Sequence, residues 1–101
     1  MGWSISHGGT RYGFSYGDVA ELRDKLENAA PKEWPTLAPV LKRGSGDPFK
    51  VNSNTAQQVG VALHQAADRL RFWDRAWARM ARQIGDSALL AARLGEPWRW
   101  S

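Results

Sequence analysis

The sequence predicts a mainly α fold: a small helical bundle around one long amphipathic helix, with a β-hairpin at its amino end. Three observations predict it. Apolar residues from Ala56 to Ile84 recur at alternating steps of three and four. Aromatic residues alternate with small polar ones over the first sixteen positions, and Gly- and Pro-rich breaks divide the remainder into helix-length pieces. At 101 residues the chain suits a single domain, because a second would have too little apolar material for its own core.

The hairpin is read over residues 3–16. Trp3 and Ile5 alternate with Ser4 and Ser6, Gly8-Gly9 supplies a turn able to take positive φ, and Tyr12, Phe14 and Tyr16 alternate with Gly13 and Ser15. A lone hairpin is marginal in water, so it needs helices against it or a third strand. Trp98-Arg99-Trp100 has the period to supply that strand, which would gather Trp3, Trp98 and Trp100.

A first helix is expected over about 18–30. Asp18 and Glu21 have capping-box spacing, while Val19, Leu22, Leu26 and Ala29 share one face. Arg23 can pair with Glu27 across a turn, and Pro31 stops the helix. A second helix covers about 35–43, with Leu37 and either Val40 or Leu41 inward and Gly44 as its stop. Pro39 fits there only within the first turn, since later it removes a hydrogen bond. Residues 44–50 read as a loop.

The long helix is expected over about 54–84, capped by Asn52, Ser53 or Asn54, with Thr55 also available. Its seam is Ala56, Val59, Leu63, Ala66, Leu70, Trp73, Trp77, Met80 and Ile84. Such a helix would reach roughly 45 Å, beyond the about 30 Å of a small domain, so it projects or is covered along its length. Gly60, Ala67 and Ala81 on one border, and Ala62 and Ala76 on the other, favour bundle packing over a free rod. Gly60 marks either a close contact or a bend. Gly85-Asp86 ends or kinks the helix, and a last one follows over about 87–94, stopped by Gly95-Glu96-Pro97.

Composition narrows the chemistry. Cysteine is absent, which removes disulfides, thiolate ligands and a cysteine nucleophile. The two histidines, His7 and His64, are distant, and no repeated acidic motif accompanies them, so no metal site or cofactor is expected. His7 with Ser4, Ser6 or Thr10 has the residue types of a nucleophile and its base, but nearness in sequence does not align them, and no catalytic motif is present. An enzyme is not expected. The chain also lacks a basic segment followed by an apolar run, and any stretch of membrane-span length. A cytoplasmic location is the default expectation, without a membrane partner.

The formal charge of +4 is modest and uneven. Residues 1–50 carry seven cations against six acids, and residues 51–101 carry seven against four. Arg71, Arg75, Arg79 and Arg82 follow one another at steps of four, four and three, opposite much of the apolar seam. The plain reading is a solvated face with local ion pairs, such as Asp68 with Arg71 and Arg75. The leading functional reading adds Phe72: an apolar anchor rimmed by Arg71, Arg75 and Arg79 has the composition of a protein contact. It makes the chain a structural or regulatory protein-binding module acting through the long helix. The alternative is a nucleic-acid-binding protein, with Arg71, Arg75, Arg79 and Arg82 on phosphates, although no zinc-finger spacing or single-strand platform accompanies them. Self-association is expected as well. Antiparallel pairing about Ala66, Leu70, Trp73 and Trp77 would give a homodimer that covers the seam. Lastly, His7-Gly8-Gly9-Thr10-Arg11 resembles a small anion nest, though the same residues make an ordinary hairpin turn.

Overall fold

The computed structural model describes residues 2–7, 10–42, 47–71 and 74–101. Eight elements follow in order: β1 (Gly2–His7), β2 (Thr10–Ser15), α1 (Tyr16–Ala29), α2 (Trp34–Leu41), β3 (Phe49–Val51), α3 (Ser53–Leu70), α4 (Arg75–Arg93) and β4 (Trp98–Trp100). The fold is mainly helical, with four helices and one four-stranded antiparallel sheet of order β2-β1-β4-β3.

The hairpin forms with Trp3 opposite Phe14 and Ile5 opposite Tyr12. β4 then pairs with β1, setting Ile5 opposite Trp100 and Ser6 opposite Arg99. The strands are not confined to the amino end, however. Residues 49–51, which begin inside the segment read as a loop, form β3 against β4. Three residues behind a proline carry too little period to be seen; the neighbouring strand and the stacking of Phe49 on Trp100, 5.4 Å between centroids, hold them in place. Trp3 meets Tyr16, Phe49 and Trp100 edge-on, so the tryptophans gather in the core as their alternation implied.

The single long helix is replaced by two. α3 ends at Leu70 and α4 begins at Arg75, where Asp74, with extended backbone at φ −156°, caps it by accepting the Trp77 N–H at 3.5 Å. The short helix expected over 87–94 is not separate, because α4 runs through Gly85 and Asp86 to Arg93. α3 and α4 are antiparallel: Asp68 meets Arg82, His64 meets Asp86, and the space beside Gly60 is filled by Leu89. The physical reason is length. The longest extent of the molecule is 32 Å, so a 45 Å rod would have left its stripe uncovered, whereas folding it back lets one half of the seam bury the other. Ala56, Val59, Leu63, Ala66 and Ile84 are fully buried. Gly60 and Gly85 mark the closest approach: a Cβ on Gly85 would stand 3.1 Å from that of Leu63 and 3.3 Å from the Gly60 carbonyl oxygen. Gly85 is thus a contact residue rather than a stop.

Smaller differences have local causes. α1 starts two residues early, because the Ser15 hydroxyl rather than Asp18 caps it, accepting the Asp18 N–H at 3.0 Å. In α2 both Val40 and Leu41 are buried with Leu37. Pro39 sits beyond the first turn of α2, where its exposed ring faces solvent and its missing N–H would have bonded the Pro35 carbonyl. Asn52 caps α3, accepting the Thr55 N–H at 2.8 Å. α2 is tied to α3 by a bidentate pair, Arg69 Nε and Nη2 to the two oxygens of buried Glu33 at 2.5 and 3.3 Å. The Glu33 hydrogen bond and charge hold the Arg69 guanidinium above its usual range, so it stays protonated at every ordinary pH. Among the described residues no helix is long and apolar enough to cross a membrane.

Candidate functional site

The turn between α3 and α4 carries the arginines singled out by spacing. Arg71 closes α3, Arg75 opens α4, and Arg79 and Arg82 follow along it at helical intervals. Together with Ala78 they line a cleft of about 370 Å³. Ala78 is buried and forms an apolar floor, while Arg71, Arg75 and Arg79 are exposed. The four do not share one electrostatic state. Arg82 donates to Asp68 at 3.0 Å, a pairing across the helix hairpin that residues fourteen apart on one straight helix, about 21 Å, could not make. Arg75 and Arg79 form no ion pair with any described residue. Their charge is open to solvent at the amino end of α4, where the helix dipole already favours an anion.

Phe72, the expected anchor, and Trp73 lie outside the described residues. The self-association residues fall differently. Ala66 is fully buried and Leu70 nearly so, inside the chain's own core, and Trp77 is half-buried with Lys25 Nζ 5.5 Å from its ring centroid. Lys25 also reaches Asp74 at 3.3 Å, so α1 steadies the start of α4. Ala66 and Leu70 are thus covered within the chain.

The chemistry sketched around His7 is rearranged. Gly8-Gly9 lies outside the described residues. His7 points inward, on the opposite sheet face from Ser4 and Ser6, and its Nδ1 lies 2.7 Å from the Ser87 hydroxyl. Ser87 also accepts the Trp98 indole N–H at 2.9 Å and is fully buried. A serine beside a histidine has the residue types of a catalytic pair, but this hydroxyl is enclosed and already engaged on both sides, with no path to a substrate. It is a packing knot joining α4, β1 and β4. Sequence reasoning placed Ser87 at a helix start, and nothing in the pattern pointed to its partners, which are eighty and eleven residues away. His64 pairs with Asp86 at 2.7 Å. Among the described residues no three His, Asp or Glu side chains gather as a metal site would need.

A family model described as a domain of unknown function (DUF7739) matches residues 8–101. No curated protein and no solved structure matches the chain.

Proposed function

The chain belongs to the DUF7739 family, and from that premise and the geometry above we propose that it is a non-catalytic binding module whose arginine cleft receives an acidic segment of a partner protein. The observation that carries this reading is the pair Arg75 and Arg79, exposed and without an acidic partner among the described residues, beside the buried apolar floor of Ala78. Arg23, Lys25, Arg69 and Arg82, by contrast, are matched by Asp24, Asp74, Glu33 and Asp68. Guanidinium groups rimming an apolar spot suit carboxylate side chains, which they can hold bidentately.

Nucleic acid on Arg71, Arg75, Arg79 and Arg82 is the second reading, favoured by the helical spacing of the last three along α4. It is weaker because the cleft is short and one of its four charges is already paired with Asp68. Pairing of two copies through Ala66, Leu70, Trp73 and Trp77 is weaker still, since Ala66 and Leu70 are spent within the chain.

The test is a titration at low salt with an oligoglutamate peptide and, separately, a single-stranded oligonucleotide. Peptide binding should fall at least tenfold in R75E/R79E. Peptide binding unchanged by those substitutions removes the proposal, and oligonucleotide binding that depends on the same two residues while the peptide fails to bind transfers the cleft to the second reading. Either ligand should weaken as salt rises.

A further inference from the structure

The strand order assembles a second charged feature. One face of the sheet packs on the helices through Trp3, Ile5, Trp98 and Trp100. On the other face the register sets four side chains in a single row across all four strands: Arg11 on β2 beside Ser6 on β1, Ser6 beside Arg99 on β4, and Arg99 beside Lys50 on β3. Arg11, Arg99 and Lys50 are exposed, and none forms an ion pair with a described residue; Asp47, at the approach to β3, does not reach them. Around the row lies a shallow basin of about 260 Å³, lined by these three cations and Ser6, with Pro48, Phe49, Trp100 and Ser101 at its margin.

Like charges directly opposite one another on paired strands are unfavourable, so the row needs a reason. Protection of sheet edges supplies only part of it. Arg11 and Lys50 stand on the two edge strands, where cations discourage pairing with another chain. Arg99 does not. It lies on an interior strand, with Lys50 directly across the ladder.

We propose that this basin binds a small ligand carrying two or more linked phosphate groups. Three cations complement more charge than the about two of a single phosphate monoester. Arg11 and Arg99 are two strand spacings apart, about 10 Å, with the Ser6 hydroxyl between them, so both guanidinium groups can bend over one compact anion resting on Ser6. A nucleic-acid strand fits less well. Tyr12 and Phe14 belong by register to the opposite face, and of the two aromatics at the basin Trp100 is buried and Phe49 is already stacked on it, so neither is free to stack a base. The site is separate from the α4 cleft and does not depend on the function proposed for it.

The experiment is calorimetric titration of the intact chain with inorganic pyrophosphate at low ionic strength, with an oligothymidylate as the competing probe. The expected result is one-site binding, weakened at least tenfold by R99Q and by K50Q and unchanged by R75Q/R79Q. A second readout needs no ligand: the thermal midpoint of R99Q and K50Q should equal or exceed that of the parent, because each removes a like-charged neighbour. Absence of pyrophosphate binding overturns the proposal. So does binding that survives R99Q but is lost in R75Q/R79Q, or oligothymidylate binding that pyrophosphate cannot displace.

Discussion

Ser87 shows how much one small buried side chain can hold. The Trp98 indole can only donate, so the Ser87 oxygen accepts from it, and the same oxygen lies 2.7 Å from His7 Nδ1, so one hydroxyl serves two buried rings. Ser87→Ala would leave two buried polar groups without a partner, and urea denaturation should show a loss of about 2 kcal/mol. The two neighbouring tryptophans allow a sharper comparison. Trp98 Nε1 is hydrogen-bonded, whereas Trp100 Nε1 is buried without a partner among the described residues, although both rings are fully buried. Trp98→Phe and Trp100→Phe remove the same atoms, so the first should cost about 1 kcal/mol more than the second in the same denaturation assay. Neither role was legible beforehand. Alternation in Trp98-Arg99-Trp100 showed which side chains turn inward, but hydrogen bonds over eleven and eighty residues leave no local trace.

At the scale of the element, the helix hairpin explains both what the sequence disclosed and what it concealed. The step of three and four from Ala56 to Ile84 identified the buried positions, because two helices facing each other obey the same rule as one helix facing a neighbour. It could not mark the turn, since Arg71-Phe72-Trp73-Asp74 contains neither Gly nor Pro and the period runs through it unbroken. The one local cue is Asp74, a good capping residue that stands within the run of arginines. Asp74→Ala should therefore lower stability by about 1 kcal/mol, with loss of the Lys25 contact adding to loss of the cap. Gly60→Ala tests the close approach. Alanine gains about 1 kcal/mol of helix propensity, yet its Cβ would lie 2.6 Å from Leu89 Cγ and 3.1 Å from the Gly85 carbonyl oxygen. Overpacking of this kind costs about 1–3 kcal/mol, so the net change should be destabilising by roughly 1 kcal/mol in thermal or urea unfolding. The arginine spacing survived the break because all of Arg75, Arg79 and Arg82 fall within α4, and its open side was readable from the sequence for that reason.

For the whole molecule, the telling feature is the central pair of the sheet. β1 spans residues 2–7 and β4 spans 98–100, and they lie side by side in the interior of the four strands, with the Ser4 and Ser101 backbones exchanging bonds of 2.7 and 2.9 Å beyond the ladder. Removing residues 98–101 would strip out two fully buried tryptophans and separate β3 from the hairpin. A chain cut after Pro97 should lose its cooperative thermal transition by circular dichroism while retaining some helix signal from α3 and α4, whose contacts are close in sequence. The same arrangement governs how the protein comes into being. The helix hairpin can collapse early because its contacts are close in sequence, but the sheet waits for β4, and until that strand docks the aromatic face of β1 and β2 has only helices to shield it. A chain in which β4 has not yet docked is therefore most open to aggregation and to chaperone capture, and a substitution that delays that docking should lower yield before it lowers helix content.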